Sequence, residues 1–162
     1  MAFDAYLKIE GVKGETLREG HKNEIPIYSF SWGASNPTSI GLSGGGGAGK
    51  VSLSSFNFMK RTDAASAALF QACCTGKHFP KATVTLHKAG GGKSVDFLKY
   101  DFEEVFVDGV QWSGSSGGDD TPTESVSFAF SRVEMTYSPQ APDGTKVGKP
   151  VVGSWDQRTV TK

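Results

Sequence analysis

Apolar and polar residues alternate with a period of two through most of this chain, and this pattern limits its fold more than any other feature. Phe3, Ala5, Leu7 and Ile9 fall on one side of the first such segment. Successive side chains of a strand point to opposite faces, so this period is typical of a half-buried strand. The same alternation predicts further strands over 25–33, 50–60, 81–88, 94–107, 124–137 and 151–160.

One segment has a helical period instead. Its apolar stripe recurs at spacings of three and four residues and consists of Ala65, Ala68, Leu69, Ala72 and Cys73. Thr62 or Asp63 is a candidate N-cap, and Gly76 is a candidate left-handed stop. We therefore predict an all-β fold, a small two-sheet β-barrel or sandwich with one short flanking helix over about 62–75. At this length we expect a single domain over 1–162.

Three local predictions follow from the same patterns. In the strand over 25–33, Tyr28, Phe30 and Trp32 share one face, while Ile27, Ser29 and Ser31 share the other. Asp108-Gly109 predicts a turn after the strand over 94–107. Lys60-Arg61 is interpreted as a strand end that lies in solvent.

A glycine-rich loop over about 36–50 runs into the strand that follows it. Residues 44–50 resemble the start of a phosphate-binding loop, but Val51 stands where that motif needs a hydroxyl for Mg²⁺. A strand pattern follows, whereas phosphate binding needs a helix N-terminus there. Because glycine loses the most backbone entropy on ordering, we expect a loop that becomes ordered against a partner. A nucleotide-binding or hydrolytic β-barrel that uses this loop remains an alternative.

The charge balance restricts the class of partner. The chain has 17 Lys and Arg and 17 Asp and Glu, so its formal net charge is zero. It offers no broad positive field for nucleic acid or an anionic membrane, and weak self-repulsion permits self-association. The sequence carries no pattern of a signal peptide or membrane span. We therefore expect assembly in the cytoplasm, no nucleic acid and no membrane insertion.

Chemically active residue types are few and scattered. His21, His78 and His87 lie on three separate segments, without the spacing of metal ligands. Cys73 and Cys74 are adjacent on the predicted helix, where their side chains diverge by about 100°. We interpret these cysteines as free thiols. The sequence predicts no catalytic residue, no metal site and no cofactor, so we do not expect an enzyme.

An ordered set of short segments resembles the Hcp family, the haemolysin-coregulated proteins of bacterial type VI secretion. The resemblance runs from Met1 to about Trp155. The segments that carry it are 28–33 (YSFSWG), 44–51 (GGGGAGKV), 75–80 (TGKHFP), 88–91 (KAGG) and 137–140 (YSPQ) with Asp143-Gly144.

The resemblance implies a structural subunit of the secretion system's inner tube. Such subunits form homohexameric rings that stack, are ejected with a spike protein by a contracting sheath, and carry and protect effector proteins in the lumen. It implies secretion without a signal peptide. It also implies that the glycine loop contacts neighbouring subunits or the next ring through Ser43, Gly44, Gly45, Gly46, Gly47, Ala48, Gly49 and Lys50.

Two further expectations concern the wall of the ring and the identity of the chain. By alternation, the small polar residues Ser29 and Ser31 are candidates for the lumen-facing wall of such a ring. The alternative identity is a phage-like contractile tail-tube protein with the same fold.

Overall fold

The computed structural model describes residues 3–38, 40, 47, 49–90, 93–118 and 120–162, without the side chains of 89, 90, 93 and 94. Within this part of the chain there are eleven strands and one helix. In chain order they are β1 Asp4–Ile9, β2 Ile25–Ile27, β3 Ser29–Ser31, β4 Ala34–Ser35, β5 Ser52–Leu53, β6 Phe56–Arg61, α1 Ser66–Thr75, β7 His78–Gly90, β8 Lys93–Ser113, β9 Thr123–Ala129, β10 Arg132–Tyr137 and β11 Val151–Asp156.

Nine strands form one antiparallel sheet, which folds over itself to enclose the core. The main hydrogen-bonded path runs β2-β1-β7-β8-β9-β6-β3, and β10 and β11 join it through β8. β4 and β5 form a separate two-stranded sheet. The path between the described strands does not close into a barrel, so a sandwich describes the predicted architecture better.

The long strand β8 belongs to both layers. It pairs with β10 over its Leu98–Glu103 part and with β9 from Phe106 onward. Between these parts Glu104 has a positive φ of 51°, and the register shifts between Val107 and Gly109. The predicted turn at Asp108-Gly109 is therefore wrong. These residues form a bulge that bends one continuous strand instead of ending it.

The chain also crosses between layers within its second predicted strand. β2 and β3 are separated only by Tyr28, yet they lie at opposite ends of the sheet path. The side-chain phase changes at this point, so Ile27 is buried while Tyr28 is exposed, and neither shares the face that the sequence predicts for it. The predicted phase holds beyond the crossing: Phe30 packs against the core, and Ser29 and Ser31 are exposed.

Aromatic side chains fill the centre of the core. Phe56 stacks on Phe30 and Phe128, with ring centroids 5.6 and 5.1 Å apart. Phe102 meets Phe130 at 4.7 Å. Such pairs add about 0.5–1.5 kcal/mol beyond the apolar area that they bury. The strand alternation predicted from Val126 to Phe130 is confirmed, since Val126, Phe128 and Phe130 are all buried.

The helix begins later than the sequence suggests, at Ser66 rather than about residue 62. The Ala65 N–H donates to the Asp63 carboxylate at 2.9 Å, so the preceding residues form a turn. Gly76, with a φ of 70°, ends the helix as predicted. Leu69 and Ala72 enter the core.

The end of the core beside α1 contains a buried ammonium group. The Lys60 side chain is fully buried, and its Nζ lies 2.6 Å from the Glu124 carboxylate and 2.7 Å from that of Asp63. It also donates to Ser66 Oγ at 3.0 Å. The prediction that Lys60 lies in solvent is wrong because Lys60 continues the inward alternation of Phe56 and Phe58.

Replacing Lys60 tests how much its buried ammonium group contributes to the stability of the fold. We expect Lys60→Met to lower the free energy of unfolding by about 3–5 kcal/mol, because two buried carboxylates lose their partner. Urea denaturation at fixed protein concentration measures this. The neighbouring Arg61, exposed and 5.4 Å from the Tyr28 ring, is the matched control. Arg61→Met should cost about 1 kcal/mol or less, and equal losses in the two variants would contradict the prediction.

Candidate functional site

The outward side of four neighbouring strands forms a flat surface of mainly small polar residues. Residues directly opposite each other in antiparallel strands share a face, and Ser31 lies opposite Asn57, which lies opposite Ser127. We call this surface the serine face. It consists of Ser29, Ser31, Asn57, Met59, Ser125, Ser127, Gly109 and Gln111.

The serine face differs chemically from the outward surface of β7, β10 and the first half of β8. There, charged side chains are paired: Arg132 lies 3.6 Å from Glu103 on the neighbouring strand β8 and 3.0 Å from Glu134 on its own strand. Lys81 and Lys99 both contact Asp101. The eight residues of the serine face carry no charge, and their exposed groups are hydroxyls, amides and one thioether, while the exposed charged side chains of Asp108 and Arg61 lie at its edges. This face therefore offers short-range hydrogen bonds without a strong electrostatic field.

The serine face is fixed in place by the bulge in β8. The Asp108 carboxylate accepts hydrogen bonds from Ser127 Oγ and, at 2.6 Å, from Ser55 Oγ. Gly109 lies directly opposite Ser127, and a Cβ there would lie 2.8 Å from the serine oxygen. The bulge thus brings β8 and β9 close together at the edge of this face.

A second surface is apolar. Tyr137 lies between Leu98 and Val151 across three strands, and Met135 is two residues away on the same face. We call Leu98, Met135, Tyr137 and Val151 the apolar patch. Tyr137 is 45% exposed and Val151 is 62% exposed. This face is continuous with the core face of β8, where Tyr100 is buried.

The predicted interface loop falls only partly within the described structure. Gly47, Gly49 and Lys50 are exposed, whereas Ser43, Gly44, Gly45, Gly46 and Ala48 lie outside the described residues. The Gly49 N–H donates to the Pro37 carbonyl at 2.8 Å. The first element after Lys50 is the strand β5, so the helix N-terminus that a phosphate-binding loop requires does not follow.

A polar cluster that sequence reasoning missed lies under the 11–24 segment. Asp96 Oδ1 lies 2.7 Å from His87 Nδ1 and 3.1 Å from His21 Nε2. Both histidines are buried, because the 11–24 segment covers the outward face of β1 and β7. Alternation alone predicts that His87 and Tyr6 are exposed. Nothing in the sequence near residue 21 indicates that the 11–24 segment covers them.

The histidines set the ionisation of the carboxylate between them. Partial burial alone would raise the pKa of Asp96, but hydrogen bonds from His87 and His21 hold that pKa below its ordinary value. Arg18 lies 3.0 Å from His87 Nε2, and Glu24 lies 2.9 Å from His21 Nδ1. The cluster therefore connects the 11–24 segment to the β7–β8 hairpin through charge-assisted hydrogen bonds.

Comparison with known proteins identifies the family of this chain. The sequence model of the family described as "Type VI secretion system effector, Hcp" matches residues 6–137. The protein Hcp1 of Pseudomonas aeruginosa is 43% identical over 158 residues, which cover 98% of this chain and 97% of that protein. The chain belongs to the Hcp family.

Solved structures agree with this assignment over nearly the whole chain. A structure described as a type six secretion system protein superposes with a TM-score of 0.93 at 34% identity and covers 99% of both chains. Hcp1 from Salmonella typhimurium superposes with a TM-score of 0.79 at 32% identity, with the same coverage.

Family membership confirms the predicted role. This Hcp chain is a structural subunit of the type VI secretion tube, it self-associates in that tube, and it is a secreted protein of the system. The relatives named here do not favour a phage-like tail-tube protein over this role. Across the described residues, no helix is long and apolar enough to span a membrane.

The Asp96 cluster makes stability depend on pH. The folded-state pKa of Asp96 lies below its ordinary value of 3.8, so its stabilisation is present above that value and is lost as pH falls through the folded-state pKa. We expect the free energy of unfolding to fall less in Asp96→Asn than in the wild type between about pH 6 and about pH 3. Asp120→Asn, in an exposed loop, is the control. Identical pH profiles for Asp96→Asn and the wild type would contradict this.

Proposed function

We propose that this chain forms six-membered rings that stack into a tube with the serine face lining the lumen. The observation that carries the proposal is the serine face itself. It is a wide sheet surface whose side chains are mostly small, uncharged and hydrogen-bonding. A channel that carries folded effector proteins of different charge needs a wall that neither attracts nor repels them strongly.

The apolar patch supports a lateral contact between subunits. Met135, Tyr137 and Val151 are exposed side by side at the end of the sheet, where β10 is the one described strand that pairs with β11. Apolar groups grouped in this way are typical of an interface, and their burial contributes about 25 cal/mol per Å². A head-to-tail contact of this kind closes into a ring when the rotation between copies permits it. The formal net charge of zero adds little repulsion between copies.

The glycine loop has a separate part in this proposal. Residues 43–50 contact a neighbouring subunit or the next ring, and the described residues Gly47, Gly49 and Lys50 are exposed and accessible for such contacts. The assembled tube then works with the spike, the sheath and the effector proteins of the system. Subunits assemble in the cytoplasm and leave the cell without a signal peptide. No catalytic step by this chain is part of the proposal.

The apolar patch gives the proposal a direct test. Tyr137→Asp places a carboxylate in the proposed contact, where its desolvation without a partner opposes assembly. We expect light scattering after gel filtration to give a mass six times the 17.2 kDa chain for the wild type and a single-chain mass for the variant. Leu17→Asp, the same kind of change at an exposed side chain outside the patch, should keep the ring mass.

Two outcomes would overturn this assignment. One is a wild-type protein that remains a single chain at high concentration. The other is a Tyr137→Asp variant that keeps the full ring mass, which would place the contact on another surface. Circular dichroism spectra of both variants should match that of the wild type, because both side chains are exposed in the isolated subunit.

A further inference from the structure

The cluster around Asp96 has the composition and arrangement of a metal site. His21 Nε2, His87 Nδ1 and an Asp96 carboxylate oxygen all lie within 4.8 Å of one another. Each nitrogen is within hydrogen-bond distance of the same oxygen, Oδ1. Imidazole and carboxylate are ligands that Zn²⁺ accepts, and three protein ligands with one open position are typical of accessible zinc sites.

The spacing of these atoms suits a small divalent ion. Zinc–nitrogen and zinc–oxygen bonds of about 2.0–2.2 Å place tetrahedral ligands about 3.3–3.5 Å apart. The observed separations from Asp96 Oδ1, 2.7 and 3.1 Å, need to widen by less than 1 Å. We propose that His21, His87 and Asp96 bind one divalent transition-metal ion of the Zn²⁺ class. The proposal is independent of the ring and of the serine face.

The surroundings of His21 favour metal binding through Nε2. Glu24 Oε2 lies 2.9 Å from His21 Nδ1, so this nitrogen keeps a proton to donate to that carboxylate when a metal displaces the Nε2 proton that donates to Asp96. A carboxylate behind a histidine ligand fixes the ring tautomer and raises its basicity toward a metal. Tyr6 stacks on the same ring with centroids 4.5 Å apart, which holds its orientation.

The Arg18 side chain opposes metal binding at His87 Nδ1. Because a guanidinium only donates, its contact with His87 Nε2 at 3.0 Å makes Nε2 the acceptor and leaves the proton on Nδ1. A metal on Nδ1 requires the proton to reside on Nε2 instead, so Arg18 must move away. The Asp4 carboxylate, 3.9 Å from another nitrogen of Arg18, is positioned to accept that side chain. Arg18 therefore sets the affinity of the site without being a ligand.

An opening leads to the proposed site. A cavity of about 400 Å³ is lined in part by His21, Glu24 and Asp96. The Asp96 side chain is 46% exposed, while those of both histidines are 6% exposed. The carboxylate thus lies between solvent and the two rings, and the cavity has room for a water molecule as the fourth ligand. A bound ion would connect the 11–24 segment to β7 and β8.

Zinc titration by isothermal calorimetry tests the proposal. The protein used in all titrations carries the substitutions Cys73→Ser and Cys74→Ser, because the two free thiols would otherwise bind zinc. We expect one Zn²⁺ per chain and a thermal midpoint that rises with zinc concentration. Asp96→Ala and Glu24→Gln should each weaken binding by about 10–100-fold. Arg18→Ala should bind more tightly than the wild type, a result that a merely structural role for Arg18 does not predict.

His78→Ala is the matched control, because His78 is the remaining histidine of the chain and lies outside the cluster. This variant should bind zinc as the wild type does. The absence of saturable zinc binding in the cysteine-free wild type would overturn the proposal. So would zinc affinity that is unchanged in a folded Asp96→Ala variant or lost in His78→Ala.

Discussion

The buried Lys60 ammonium is the interaction on which this fold most depends. It joins the carboxylate of Glu124 on β9 to that of Asp63 in the turn before α1, and it holds Ser66 at the first position of the helix. Glu124 in turn accepts a hydrogen bond from the Trp112 indole on β8. One charge therefore fixes the helix against three strands. Buried ion pairs contribute little net stability, but removing one partner is costly, so the group defines one arrangement of these elements.

Because α1 covers the inward side of these strands, their outward side remains free for assembly. Lys60, Glu124 and Trp112 alternate with Met59, Ser125 and Gln111, so the helix and the serine face lie on opposite sides of the same sheet. The bulge at Asp108 keeps the outward side in phase after β8 has bent between layers. Three surfaces thus suit three environments. The serine face suits the proposed lumen, the paired charges beside it suit solvent, and the apolar patch suits the proposed contact between subunits.

Sequence patterns predicted the architecture and the family, but not the polar interior. Alternation located the strands, and the helix end predicted at Gly76 is confirmed. Both features depend on residues that are close together in the sequence. The burial of Lys60 and the meeting of His21 with Asp96 depend on which distant segments cover a strand. Ile27 and Tyr28 do not lie on their predicted faces, because the chain crosses between the two layers at Tyr28. Ser29 and Ser31 are exposed as predicted, while their lumen-facing role remains a prediction.

Labelling one residue of the serine face shows whether this face lines the lumen of the assembled ring. A single cysteine at Ser31→Cys, in a protein that carries Cys73→Ser and Cys74→Ser, can be labelled with a maleimide gold cluster and imaged by electron microscopy. We expect six-fold rings with the label in the central hole, whereas a label at Ala67→Cys, on the exposed side of α1, should lie outside it. A Ser31 label on the outer surface, or particles without a ring, would contradict this expectation.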